Sequence, residues 1–370
     1  MIFVENIFRF LKNKKIDFFT GVPDSILKFF SLPLENCNKY NHIISTNEGS
    51  AVSTAIGYYL SRKKIAAVYL QNSGLGNAIN PLISIASKEV YSVPMLLIIG
   101  WRGAPGTKDE PQHNAKGRIT SSLLKLLKIK TCLLKNEKDF SKLSKLITYS
   151  KKNKVPVACL VKKNTLFLKK KIKNNKKKNK KNLCREIVLE EILKRIKKNT
   201  RIISTTGFTS RELYQIRKNK NIFNSKDFYM VGGMGHSITV SLGVALNSKK
   251  EIICIDGDGS ILMHLGGMGL AGVFGTKNLK HIILNNSSHE SVGGQPTIGN
   301  KIDFLRLSKS LGYKKFYTAN NEKKLKLNLT KFINSNGPSL FEIKIKSLSM
   351  KKLIRPNNLI QIKNNFMKNV

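Results

Sequence analysis

Short runs of β-branched and other apolar residues alternate along the whole chain with longer amphipathic stretches, and this alternation restricts the fold more than any other feature. In the first half His42-Ile43-Ile44-Ser45, Ile65 to Leu70, Pro94 to Ile99 and Pro156 to Val161 read as strands. In the second half Arg201 to Ser204, Phe228 to Val231, Glu251 to Ile255, His281 to Leu284 and Leu340 to Ile345 do so. Strands without a polar face belong in parallel sheets covered by helices on both sides. The expected class is α/β, with two domains each built on a mostly parallel sheet flanked by helices. Between them residues 162–184 are dominated by Lys and Asn, as in Lys169-Lys170-Lys171 and Lys176-Lys177-Lys178, and contain no acid. Like charges repel and apolar anchors are scarce, so an extended, solvated linker is expected between domains 1–161 and 185–370.

With 370 residues, 41% hydrophobic and 24% charged, the chain can bury two ordinary cores and is not of disordered composition. Its apolar runs, such as the one before Gly100, fall short of the ~20 residues a membrane helix needs. Met1 to Glu5 meets an acid where a secretory signal would be basic, so a cytoplasmic protein with no membrane partner is expected. Cys37, Cys132, Cys159, Cys184 and Cys254 form no C-x-x-C pair and fit neither a disulfide framework nor a zinc site. The formal charge of +44, from 66 basic and 22 acidic residues, suggests polyanionic partners. Lys and Asn are nevertheless enriched everywhere, helix exteriors included, and no aromatic-interleaved basic motif accompanies them. Nucleic-acid binding is therefore not expected, and a basic polyanion-binding protein stands as the non-enzyme alternative.

The most informative stretch is Glu251 to Ser260, an apolar strand ending in Gly257-Asp258-Gly259-Ser260, followed by a helix-compatible segment and then His281-Ile282-Ile283-Leu284-Asn285-Asn286. Glycines let the backbone approach a ligand, Asp258 places a hard oxygen at the strand's carboxyl end, and the following helix aims its N-terminus at phosphate. Asn285 or Asn286 can offer a second oxygen. Gly-Asp-Gly alone is often only a turn; its spacing from Asn-Asn is what makes it specific.

That pair of motifs resembles the diphosphate motif of thiamine diphosphate enzymes, and the chain as a whole resembles the phosphonopyruvate decarboxylase family, with the sulfopyruvate decarboxylases as close kin. In the first half the resemblance rests on Thr20-Gly21-Val22-Pro23-Asp24-Ser25, Asn47-Glu48-Gly49-Ser50-Ala51, Gln71 to Asn77, Trp101-Arg102-Gly103, Asp109-Glu110-Pro111-Gln112-His113 and Gly117-Arg118-Ile119-Thr120. In the second it rests on Thr205-Thr206-Gly207, Gly232 to His236, Gly257 to Ser260 and Glu290 to Thr297. Gly233 departs from the Ser of many relatives, and Ser287-Ser288 from small pairs such as Gly-Ala.

The resemblance implies two thiamine diphosphate-binding domains, the first for the pyrimidine and the second for the diphosphate. It implies Mg²⁺ held by Asp258, Asn286 and the Ser288 carbonyl, with Gly232, Met234, Gly257, Gly259 and Ser260 also against the cofactor. Met234 would wedge the cofactor into its bent form, whereas its bland reading is a core methionine. Glu48 would hydrogen-bond the pyrimidine N1′, which requires a buried, protonated carboxyl; its bland reading is a helix-capping acid. Asp24, His113, His289 and Glu290 become acid/base candidates, and Arg102, Lys108 and Arg118 candidates for an anionic substrate group. The implied activity is decarboxylation of 3-phosphonopyruvate to phosphonoacetaldehyde and CO₂, with sulfopyruvate decarboxylation or another 2-oxo acid decarboxylase or carboligase as alternatives. At least a homodimer is expected, with each site built from two chains.

Overall fold

The structure is a computed structural model that describes residues 1–169, 183–219 and 226–370. It divides into two compact units, Met1–Asn175 and Lys176–Val370. In the first unit the strands are β1 (Ile2–Phe3), β2 (Phe19–Gly21), β3 (His42–Ile44), β4 (Ala66–Gln71), β5 (Met95–Gly100), β6 (Lys130–Leu134), β7 (Val157–Val161) and β8 (Leu166–Phe167). A six-stranded sheet runs β3-β2-β4-β5-β7-β6, parallel throughout, and β1 pairs separately with β8. The second unit holds β9 (Arg201–Ser204), β10 (Phe228–Tyr229), β11 (Ile252–Gly257), β12 (Leu279–Asn285), β13 (Lys315–Ala319) and β14 (Ser339–Lys344). They form a parallel six-stranded sheet in the order β10-β9-β11-β12-β14-β13.

Each sheet is buried on both faces, because alternate residues of one strand enter different cores. Ala67, Tyr69, Leu96 and Ile98 pack on one side of the first sheet, while Ala66, Val68, Leu70, Leu97 and Ile99 pack on the other. Ile253 and Ile255 likewise face away from Ile252 and Cys254 in the second. The runs expected as strands all form strands. Five strands escape the periodicity reading, among them β1 and β8 with two residues each. β6 and β13 are edge strands with polar, partly solvated positions, and β2 is only three residues long.

The linker expectation needs correction at its ends. Leu166 and Phe167 pair with Ile2 and Phe3, and Leu166 is buried in the first core. Leu183 and Cys184 are buried, Leu183 within the core of the second unit. Apolar side chains at the two ends of the basic tract find cores to enter, so the tract is not solvated from end to end. Lys170-Lys171 and Lys176-Lys177-Lys178 lie outside the described residues. All five cysteines are free, and among the described residues no helix is long and apolar enough to cross a membrane.

Candidate active site

In parallel sheets the carboxyl ends of neighbouring strands share one edge, and the loops that leave it line a crevice where ligands bind. In the first unit Asp24 follows β2, Glu48 follows β3, Asn72 to Asn77 follow β4, and Arg102 follows β5. Asn47 caps the helix Glu48–Arg62, its side chain accepting from Ser50 N at 2.8 Å. With the cap supplied by Asn47, Glu48 is released from that duty. Its carboxyl is 5% exposed, and Oε2 accepts from Asn77 Nδ2 at 2.7 Å. Burial pushes its pKa up, against the opposing Asn77 hydrogen bond. No ion pair engages it among the described residues, and the Lys116 charge opposes the upward push only as a lesser cause.

Asp24 is 1% exposed; Oδ2 accepts from the backbone N–H groups of Ile26 and Leu27 at 2.9 and 3.0 Å, while Oδ1 is buried without a hydrogen-bond partner. Burial raises its pKa to about 6, opposed by the backbone donors and the Arg102 charge. Arg102 is itself engaged. Nε and Nη2 fork onto Asp109, Nε at 2.7 Å, and Nη1 donates to Ser25 Oγ at 2.9 Å. Although burial pushes the Asp109 carboxyl up, Arg102 and the N–H groups of Glu110 and Gly103 hold it well below the usual carboxylate range. His113 is half-buried on the helix Pro111–Leu126, and its carbonyl backs Gly103, whose φ is +62°. Lys108 and Arg118 are exposed. Of the three nominated cations, Arg102 is the one bonded beside Asp24.

In the second unit Thr205 follows β9, Gly232 to Gly235 follow β10, Asp258 follows β11 and Asn286 follows β12. The Ser260 hydroxyl joins three of these segments, accepting from Gly235 N at 3.0 Å and bonding Thr205 Oγ1 at 2.8 Å. Gly233 and Gly235 have φ of +66° and +90°, a left-handed conformation that favours glycine over residues with a side chain. Met234 is half-buried rather than a sealed core residue. Asp258 is 1% exposed; Oδ1 accepts from Asn286 N at 3.2 Å and Oδ2 from the Thr297 hydroxyl. Burial raises its pKa, with the Thr297 bond opposing.

The adjacent asparagines separate cleanly. Asn285 is 4% exposed and tied inward, Nδ2 to Gly299 O and Glu342 Oε1 and Oδ1 to Ser287. Asn286 is half-buried, with Oδ1 accepting from Ser288 N at 3.1 Å and keeping its second lone pair. The Ser288 hydroxyl is buried without a partner. The His289 ring lies against Gly259, with Cε1 3.2 Å from where a Cβ would stand, and burial pushes its pKa down to about 4. Glu290, nominated as an acid/base group, is held in place: Oε2 accepts from Arg185 Nη2 at 2.6 Å and from Asn286 Nδ2 at 3.0 Å.

Asn77, Gly74, Thr205, Thr297 and Arg185 received no individual role from sequence. The first three lie inside the quoted motifs, and Thr297 closes the last of them. Arg185 carries no local signal.

Two family comparisons cover most of the chain. The family described as thiamine pyrophosphate enzyme, N-terminal TPP binding domain, matches residues 1–122, and the C-terminal TPP binding domain of the same enzymes matches residues 203–343. A phosphonopyruvate decarboxylase of Streptomyces viridochromogenes is 31% identical over 91% of this chain and 86% of its own length. The chain belongs to the thiamine pyrophosphate enzymes, as a decarboxylase of phosphonopyruvate decarboxylase type. A sulfopyruvate decarboxylase of Methanosarcina acetivorans is 27% identical over 79% of this chain and 78% of its own length. The sulfopyruvate decarboxylase subunit beta of Methanocaldococcus jannaschii is 33% identical over 40% of this chain and 84% of its own length. Membership in an enzyme family displaces the reading as a basic binding protein.

The residues of this decarboxylase fit thiamine diphosphate and a hard cation. Asp258 is a buried carboxylate with no cationic side chain paired to it among the described residues, a situation that a bound cation relieves. Asp258, Asn286 and the Ser288 carbonyl are oxygen donors, the set that Mg²⁺ takes together with phosphate. In the first unit, Glu48 is a buried acid just past the carboxyl end of β3.

Proposed function

We propose that the chain decarboxylates 3-phosphonopyruvate to phosphonoacetaldehyde and CO₂, using thiamine diphosphate and Mg²⁺, as a cytoplasmic enzyme. The observation that carries this reading is the similarity to a phosphonopyruvate decarboxylase over 91% of the chain. When bound, thiamine diphosphate supplies a thiazolium ring that takes up the electron pair left as CO₂ departs. Residues 1–161 would serve the pyrimidine, through Glu48, and residues 185–370 the diphosphate, through Asp258, Asn286 and Ser288, with Gly232, Met234, Gly257, Gly259 and Ser260 shaping the same end.

Glu48 would hold the pyrimidine and share a proton with its N1′ nitrogen. Asp24, with a pKa raised to about 6, is suited to give and retake a proton near neutral pH, and its unpartnered Oδ1 is the atom from which to do so. His289 would serve as a neutral hydrogen-bonding group and His113 as a further proton carrier. Arg102 would meet the substrate's anionic end, held in place by Asp109.

The sulfopyruvate reading is favoured by the similarity to sulfopyruvate decarboxylases in the same comparisons. An aldehyde-coupled assay with phosphonopyruvate, sulfopyruvate and pyruvate, with and without thiamine diphosphate and Mg²⁺, decides between them. Phosphonopyruvate should give the highest kcat/KM, and dependence on both additives is expected; a lead for sulfopyruvate transfers the reading to that substrate. The assembly part of the proposal is at least a homodimer with sites built from two chains. Mixing inactive Glu48→Gln and Asp258→Ala chains, with subunit exchange verified by mass spectrometry, should restore activity. Verified heterodimers as dead as either parent would remove the shared-site model.

A further inference from the structure

We propose that Arg185 and Glu290 are positioning residues that set the side-chain amide of Asn286 so that its oxygen is presented to a divalent cation. This rests on the reading of Asp258 and Asn286 as metal ligands and adds what holds the second of them in place.

An asparagine amide has two faces of nearly identical shape, and only its neighbours decide which carries the oxygen. Here both faces are specified. On one side the Glu290 carboxylate, an acceptor only, stands 3.0 Å from Nδ2. On the other the Ser288 N–H, a donor only, stands 3.1 Å from Oδ1. Turning the amide over would set oxygen against carboxylate and NH₂ against N–H, two repulsive contacts in place of two bonds. Oδ1 therefore stays on the side of Ser288, with one lone pair uncommitted.

Glu290 can act as this stop only if it stays where it is, and Arg185 holds it there. The guanidinium bridges two carboxylates, Nη2 to Glu290 Oε2 at 2.6 Å and Nη1 to Glu212 Oε1 at 3.1 Å. The Arg185 side chain is 6% exposed, Glu212 0% and Glu290 13%, so solvent does little to weaken these pairs. Glu212 Oε1 also accepts from Met350 N, which anchors the far end of the bridge in backbone. The planar fork of Arg reaches both acids at once, as the single ammonium of Lys does not. Fixing a ligand's orientation through an outer carboxylate is a general way to tune a metal site, worth about 10–100-fold in affinity.

The test titrates Mn²⁺ into the full chain at fixed thiamine diphosphate and follows free Mn²⁺ by electron paramagnetic resonance. Glu290→Ala, which leaves Arg185 paired to Glu212, should weaken Mn²⁺ by about 10–100-fold. Glu290→Gln, which keeps an acceptor for Asn286, should retain most of the affinity. Arg185→Lys should fall between them. The decisive measurement is coupling: once Asn286 is Ala, adding Glu290→Ala should cause no further loss. If Glu290→Ala and Arg185→Lys bind Mn²⁺ like the parent, or if Glu290→Ala causes the same loss with and without Asn286, the positioning role is wrong. Asp258→Ala separates the two levels. Unchanged Mn²⁺ affinity in that variant overturns the metal-site reading itself, whereas loss there with none in Glu290→Ala overturns only the positioning role.

Discussion

The backbone of Gly74 lies so close to Glu48 that a Cβ built on it would stand 2.0 Å from Oε1 and 2.2 Å from Cδ. Glycine at 74 is thus a condition for the Glu48 carboxyl to occupy its buried position. Gly74→Ala should push the carboxyl aside and lower kcat at least 10-fold, because a buried acid cannot shift by a fraction of an ångström without losing its aim. The neighbouring Gly76 provides the control, since a Cβ there meets nothing within 4 Å. Gly76→Ala should leave kcat unchanged and raise stability by about 0.4–1 kcal/mol by restricting the unfolded chain. Steady-state kinetics and thermal melts on the two variants check this, and equal activities would detach Gly74 from the site.

Glu48→Gln keeps the side chain's shape and can still meet Asn77, but removes the ionisable proton. Activity should fall by 100-fold or more while thiamine diphosphate affinity changes by less than about 10-fold, the pattern of a group that acts on the reaction rather than on binding. Calorimetric titration beside kinetics separates the two quantities. A parallel loss of both would make Glu48 a binding residue.

These two residues also show where the sequence is readable. Glu48 and Asp258 stand inside contiguous motifs at strand ends, so their neighbours in sequence are also their neighbours in space. Glu290 stands in a motif too, yet its partner Arg185 is 105 residues away and begins an unremarkable helix. A carboxylate in a motif and a carboxylate in an ion pair look alike until the fold brings the cation to it. The same locality explains the strands: doubly buried β4, β5, β11 and β12 announce themselves by composition, whereas β6 and β13 at the sheet edges hide behind solvated positions. Arg102 was nominated from its loop, but its fork onto Asp109 depends on how that loop closes on itself.

Asp24 should leave a signature in stability against pH. Its pKa is raised to about 6 in the fold, above an ordinary value of about 4 in the unfolded chain, so the unfolded state loses its proton first as pH rises. Its contribution is fully present below pH 4 and is lost as pH climbs through 6. The loss amounts to about 3 kcal/mol, on the order of two pKa units. His42 and His281 run the other way: burial pushes both down to about 4, so their contribution is present above pH 6.5 and is lost as pH falls toward 4. Denaturant unfolding of parent and Asp24→Asn across pH 4 to 8 isolates the first effect, because the histidines cancel in the difference. The parent should lose stability relative to the variant as pH rises over that window. A difference that stays flat places the Asp24 pKa at its ordinary value.

Arg102 offers a way to move that same proton without touching Asp24. Its charge lowers the Asp24 pKa, which burial would otherwise carry higher. Arg102→Met removes the cation, so the Asp24 pKa must rise, and any limb of the pH–rate profile governed by Asp24 must shift to higher pH. The direction holds whether Asp24 acts as acid or as base: as an acid it keeps its proton further into the alkaline range, and as a base it becomes available only later. KM for an anionic substrate should rise as well, since the guanidinium is the cation bonded beside Asp24 through Ser25. Asp109→Asn separates the two effects. It leaves the Arg102 charge in place and removes half of the fork that orients it, so KM should rise with no upward shift of the limb. If Arg102→Met leaves every limb where it was, Asp24 is not the group whose proton the rate reports.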